Sequence, residues 1–153
     1  RTSGPFAVVS RYRDRAGGAM SKIVPEAQEL IDLDRSVRER FALEVHHAWQ
    51  GECRLSATID EGWLNGAGFL HGSVAYALMD SASAYACASR GVRGVTTNGN
   101  ITYVKGAKAG TELFASAQVV SQSRRVMSLK AEVMDHQDQL LAHGAFLFQL
   151  LER

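Results

Sequence analysis

The chain is poor in the features that most directly announce a function. Its two cysteines, Cys53 and Cys87, have no motif spacing, which argues against a disulfide framework and makes a reducing, cytoplasmic setting the expectation. Lys plus Arg number 17 and Asp plus Glu 16, leaving a formal net charge of +1. No block of one sign stands out, so a nucleic-acid partner is not expected. No hydrophobic run approaches the length of a membrane span and the start has no signal-peptide pattern, so no membrane association is expected either. His46 and His47 are adjacent, and neighbours in a strand point to opposite faces, so they make a poor ligand pair. No metal and no cofactor are expected. What remains is an ordinary globular composition, 46% hydrophobic and 22% charged over 153 residues, enough for one domain with its own core.

Residues 1–24 mix Gly, Arg, Ser and short apolar pieces without a sustained period and read as a flexible arm ahead of a single domain over 25–153. Ala27, Leu30, Ile31, Leu33 and Val37 have helical spacing, with Pro25 suited to a first turn and Glu26 and Glu29 near the positive end. They predict a surface helix of about three turns. Phe41–Trp49 and Cys53–Ile59 alternate in period two about a turn at Gln50-Gly51, a hairpin pattern. Four further strands are predicted at Val95–Val104, Leu113–Ser121, Met127–Val133 and Leu140–Leu151, the last closing the sheet.

Between the two groups of strands lies the most informative stretch. From Gly72 to Ser89 nearly every residue is apolar or small, without proline or internal glycine, which predicts a helix from Ser73 to just before Gly91. A helix with no polar face is a buried helix, and a curved antiparallel sheet is its simplest wrapping, an α+β arrangement. Its only charge is Asp80. An ionised carboxylate on a buried surface shifts its pKa or finds partners, so Asp80 is either functional or held by hydroxyls such as Ser83 or Tyr76. Just ahead, Asn65-Gly66, Gly68 and His71-Gly72 put polar side chains and free backbone at the helix N-terminus. There, unpaired N–H groups and the helix dipole favour a developing anion.

The spacing Leu64-Asn65-Gly66, His71-Gly72, then Asp80 in a small-residue helix, resembles the hotdog-fold acyl-CoA thioesterases, in particular their phenylacetate-degradation branch. Gly94–Thr97, Asn100–Tyr103 and Ala109–Thr111 resemble that family's strand and turn after the central helix, so the resemblance runs from about Phe41 to Leu151. Ser73 departs from it, standing where the family most often has a second glycine; serine still suits a helix start. The resemblance implies hydrolysis of acyl-CoA thioesters, with aromatic (phenylacetyl or hydroxylated aryl) or medium-chain acyl groups. It also implies a homodimer with composite active sites, arranged as a dimer of dimers.

Thioester hydrolysis needs an oxyanion donor and a base or nucleophile. The Gly72 N–H is the expected donor, with His71 orienting the thioester. Asp80 is the expected carboxylate, acting either directly or through water. Asn65 is expected to position the water or the carbonyl, and Thr96 matches a hydroxyl position that related enzymes use near the carboxylate. Gly72 and Asp80 are eight residues apart in one helix, about 12 Å at 1.5 Å per residue, so a shared reaction requires two subunits. Arg124 and Arg125, with Lys105 and Lys108, are candidates for the CoA phosphates, and Leu64, Phe69, Leu70, Tyr76 and Met79 for the acyl pocket. Two alternatives are a non-catalytic acyl-CoA-binding module and a dehydratase or hydratase acting on acyl thioesters. The first fits poorly with a carboxylate beside an anion site, the second with a helix-centred Asp.

Overall fold

The structure is a computed structural model that describes residues 21–152; of the arm expected over 1–24, residues 1–20 lie outside the described residues, while Lys22–Val24 are bonded to β1 rather than loose. The chain runs α1 (Pro25–Leu33), α2 (Arg35–Arg40), β1 (Glu44–Trp49), β2 (Glu52–Thr58), a short 3-10 turn (Glu61–Trp63), α3 (Gly72–Ala88), β3 (Gly94–Tyr103), β4 (Glu112–Gln122), β5 (Val126–Asp135) and β6 (Leu140–Leu150). The six strands form one antiparallel sheet in the order β1-β2-β4-β5-β6-β3. This sheet curls around α3, the hotdog arrangement.

The packing follows from residue size. Along β4 and β5 the residues facing α3 include Ala115, Ala117 and Ala131, and α3 meets them with Ala75, Ala82 and Ala86, all buried. Small residues on both surfaces let helix and sheet approach closely. Leu78, Met79 and Tyr85, none of them exposed, then fill the remaining space with Leu55, Leu129, Phe146 and Phe148. Each such side chain contributes roughly 1.5–3 kcal/mol by leaving water.

Two features differ from the sequence reading. The single surface helix predicted from Pro25 is broken at Asp34 into α1 and α2, and it is only partly a surface element. Ala27 and Ile31 are buried against α3, and the Asp34 carboxylate accepts a hydrogen bond from the buried Tyr85 hydroxyl at 3.0 Å. β6 closes the sheet from inside, between β5 and β3, because the segment after β3 crosses to β4 instead of forming a hairpin. β3 is therefore an edge. The other edge, β1, is covered by Lys22–Val24, where Ala48 donates to Lys22 O at 2.8 Å and Val24 donates to Ala48 O at 3.1 Å. No described residue pairs with the outer edge of β3.

Where β6 runs beside β3, Gly144 is required by space. A Cβ there would lie 2.6 Å from the Asn100 carbonyl oxygen and 3.1 Å from Ile101 Cγ1. Backbone cannot swing away as a side-chain tip can. Gly144→Ala is expected to destabilise the fold by roughly 1–3 kcal/mol, the usual cost of overpacking. Urea unfolding measures it, and an unchanged midpoint would contradict the close β3–β6 contact.

Candidate active site

The chain carries two separate groups of polar residues at the ends of β3, each gripping a different part of α3. The first surrounds the start of α3. His71 is the N-cap, and its Nδ1 accepts from the Ser73 N–H at 3.0 Å and lies 2.6 Å from Ser73 Oγ. Ser73, expected at the start of the helix, thus sits in its first turn while His71 caps it. A neutral imidazole whose Nδ1 accepts carries its proton on Nε2, so the free edge of His71 is a donor. The Gly72 N–H, ahead of the intrahelical ladder, has no partner among the described residues.

Asn65 shapes the loop that leads there. Its Oδ1 accepts from the N–H groups of Ala67 at 2.9 Å and Phe69 at 3.1 Å, an Asx-type turn. The carbonyl of this amide is thereby committed to its own loop, and the side-chain NH₂ is the part left to face outward. Tyr103, which sequence reasoning treated only as a strand residue, closes the group. Its hydroxyl donates to Gly72 O at 2.8 Å, and its ring occupies the place of a Cβ at position 72, which would come within 2.9 Å. Gly72 is thus fixed by what lies against it. An aromatic at the end of an otherwise polar, exposed strand was the signal available. Asn65, Phe69, Leu70, Gly72, Tyr103, Val104, Lys105 and Gly106 line a cavity of about 470 Å³.

The second group lies about 12 Å further along α3. Asp80 is half-buried, and its Oδ1 accepts from Thr96 Oγ1 at 2.6 Å. Neither Ser83 nor Tyr76 holds it: Ser83 Oγ is fully buried without a hydrogen-bond partner among the described residues, and the Tyr76 ring packs edge-on to Phe146 at 5.3 Å. Burial raises the Asp80 pKa, the Thr96 hydrogen bond opposes the rise, and the charge of Asp34 adds to it. Tyr76, beside it, is pushed up by burial and then by the negative charge of Asp80.

The structure therefore brings Asp80 together with Thr96, and Asn65, His71 and Gly72 together with one another, but not the two groups. Arg124 and Arg125 are exposed in the turn between β4 and β5, near the Thr96 end of β3, since Val126 and Val95 both pair with Gln149. Of the acyl-pocket candidates, Phe69 and Leu70 line the cavity, Leu64 and Tyr76 border the core, and Met79 is buried inside it. The two histidines diverge, His46 Nε2 to Ser56 Oγ at 2.7 Å and His47 Nδ1 to the Lys22 N–H at 3.2 Å.

Comparison with known proteins bears on the family and the fold. The sequence pattern of the thioesterase superfamily matches residues 67–142. The acyl-coenzyme A thioesterase PaaI of Escherichia coli K12 is 31% identical over 93 residues, 61% of this chain and 66% of that protein. A variant of the phenylacetic acid degradation protein PaaI from Thermus thermophilus superimposes with a TM-score of 0.72 at 30% identity, over 76% of this chain and 99% of that one. A hypothetical thioesterase protein of Streptococcus pneumoniae TIGR4, solved with coenzyme A, gives a TM-score of 0.76 at 21% identity, covering 81% of this chain and 98% of that one. The first two curated relatives are matched over only 66% and 49% of their own length.

The burial and hydrogen bonding of Asp80 fix the direction of its titration. Followed by ¹³C NMR of the side-chain carboxyl, it should titrate above the ordinary aspartate value of about 3.9. Thr96→Ala, which removes a bond favouring the ionised form, should move the midpoint higher still. A wild-type midpoint at or below the ordinary value would contradict the observed burial.

Proposed function

The chain belongs to the thioesterase superfamily, and on that premise we propose that it hydrolyses acyl-CoA thioesters to the free acid and CoA. The observation that carries the reading is Asp80, a lone carboxylate in an apolar helix, held at 2.6 Å by a hydroxyl and raised in pKa by burial. A carboxylate moved toward neutral pH is a better base than a solvated one and is still ionised enough to act. The Gly72 N–H, with the Nε2–H of His71 beside it, supplies the donors for an oxyanion. In the reaction the carbonyl carbon gains an oxygen, either from a water that Asp80 deprotonates or from Asp80 itself, in which case the mixed anhydride left after loss of the thiolate is cleaved by water to release the acid and restore the carboxylate. The C–S bond then breaks and the departing thiolate takes up a proton. Thr96 orients the carboxylate, and the Asn65 NH₂ is placed to steady the thioester.

The site is composite in this proposal. About 12 Å of helix separates Gly72 from Asp80, too far for both to touch one carbonyl carbon. The free edge of β3 offers the remedy, since an unpaired strand of this length is a ready template for another chain. Antiparallel pairing with β3 of a second copy, about a two-fold axis between Gly99 and Asn100, sets Thr96 across from Tyr103 of the partner subunit. Thr96 grips Asp80 and Tyr103 grips Gly72, so this one register joins the two half-sites, twice per dimer. Two such dimers associating gives the expected dimer of dimers. Arg124 and Arg125 remain candidates for the anionic end of the substrate. Cys53 and Cys87, both free and buried, support a reducing cytoplasmic setting. Among the described residues no helix is long and apolar enough to cross a membrane.

A panel of aryl and medium-chain acyl-CoA thioesters assayed for thiol release tests the activity. Asp80→Asn is expected to lower kcat on the best substrate by at least two orders of magnitude with a much smaller change in KM. Thr96→Ala should lose less. Turnover of Asp80→Asn within about threefold of wild type would remove Asp80 from the chemistry.

A further inference from the structure

The outer face of the sheet, turned away from α3, carries a row of polar side chains that the catalytic roles leave unexplained. His47 stands opposite Arg54, Arg54 opposite Ser116, Ser116 opposite Glu132 and Glu132 opposite His143, so one line crosses five strands from β1 to β6. Directly paired residues share a face, and the neighbouring positions Leu55, Ala115, Ala131 and Ala142 point into the core. Polar groups on an uncovered sheet face are ordinarily wet. Here His47, Arg54, Ser116 and Glu132 are between 2% and 8% exposed, and Met134 on the same face is 5% exposed. α3 lies on the opposite face and α1 packs on α3, so no described helix covers the row.

The described residues begin at this face. The Lys22 N–H donates to His47 Nδ1 at 3.2 Å, and Ile23 bridges to Ala48 in the parallel sense, so the chain before Lys22 enters at the β1 end of the row. Glu132, on β5, is three strand spacings away, about 14 Å. Arg15 stands seven residues before Lys22, a reach of up to about 23 Å, and Gly17-Gly18 allows a turn between them. Charge fits as well as length. Residues 1–20 hold four arginines and one carboxylate, Asp14. The outer face holds Glu44, Glu52, Glu112 and Glu132 against Arg54 and Lys130. Glu132 Oε2 is buried with no hydrogen-bond partner among the described residues; burial raises the pKa of this carboxyl and Lys130 opposes the rise.

From this placement we infer that the outer face of the sheet is the docking surface for residues 1–20 of the same chain, with Arg11, Arg13 and Arg15 turned toward the acidic groups and Glu132 their central partner. The three arginines alternate along the sequence, so in an extended segment all of them point to one side. A guanidinium is the cation suited to a buried carboxylate, because its fixed fork of donors bonds both oxygens at once. With this face covered by its own chain, the edge at β3 stays free for the pairing proposed above. Nothing in this docking depends on the hydrolytic reading.

Paramagnetic relaxation in the full chain tests the docking without requiring turnover. Cys53 and Cys87 are both buried, so a nitroxide attached to Ser10→Cys reports from that position alone. In a sample where the ¹⁵N-enriched, spin-labelled chain is diluted into unlabelled protein, the amide signals of residues 114–118 and 130–134 are expected to lose at least half of their intensity. Those of residues 94–96, at the far end of β3, should lose less than a fifth. Arg11→Glu with Arg13→Glu and Arg15→Glu in the same labelled chain should restore at least half of the lost intensity. Undiminished signals at 114–118 and 130–134, equal losses at 94–96, or losses that survive the charge reversal would each overturn the inference. Losses seen only when the spin label and the ¹⁵N are on different molecules would put a second copy on this face and overturn it as well.

Discussion

The structure depends on the stiffness of one helix. α3 fixes Gly72 and Asp80 on a single rod, about 12 Å apart along its axis, and no loop movement can bring them together. The helix is also wedged in the curl of the sheet by a surface of small residues, so it cannot tilt freely. In the proposed reaction the Asp80 carboxylate and the Gly72 N–H are each well held and, within one chain, cannot meet at one carbonyl carbon. The proposed pairing with a second copy removes that limit without changing either group.

β3 carries the same logic at the level of the sheet. Its Tyr103 end is bonded to the Gly72 carbonyl and its Thr96 end to the Asp80 carboxylate, so the strand ties both polar groups of its own helix to one straight ruler. Its outer edge is unpaired among the described residues, while the opposite edge of the sheet is covered by Lys22–Val24. An edge left open at one side of a sheet and covered at the other is the arrangement that the proposed pairing requires.

Much of this was legible in the sequence, and what was not has physical reasons. The buried helix stood out because an apolar stretch with a single charge has few other readings, and the Asp80 pattern led to Thr96 through the family resemblance. The strands were legible from their alternation. The break at Asp34 was not, because the helical spacing of Leu30, Leu33 and Val37 continues through it and only the tertiary bond to Tyr85 marks the change. Strand order was also hidden: the placement of β6 between β5 and β3 depends on long-range pairing that no local signal carries. Asn65 was read as a site candidate, but local spacing could not tell that its carbonyl oxygen is occupied by Ala67 and Phe69. Tyr103 was missed because its contact partner is 31 residues away in the chain.

The composite site is tested most directly by mixing two inactive proteins. Asp80→Ala lacks the carboxylate and His71→Ala lacks the loop donor, and each homodimer should be nearly silent in a thiol-release assay. Co-refolding equal amounts makes about half of the dimers mixed, and each mixed dimer holds one site that combines the intact loop of one chain with the intact Asp80 of the other. About a quarter of all sites should then recover activity. With subunit exchange verified by mass spectrometry of the mixed dimers, activity no greater than the weighted sum of the two parents would contradict a site shared between chains.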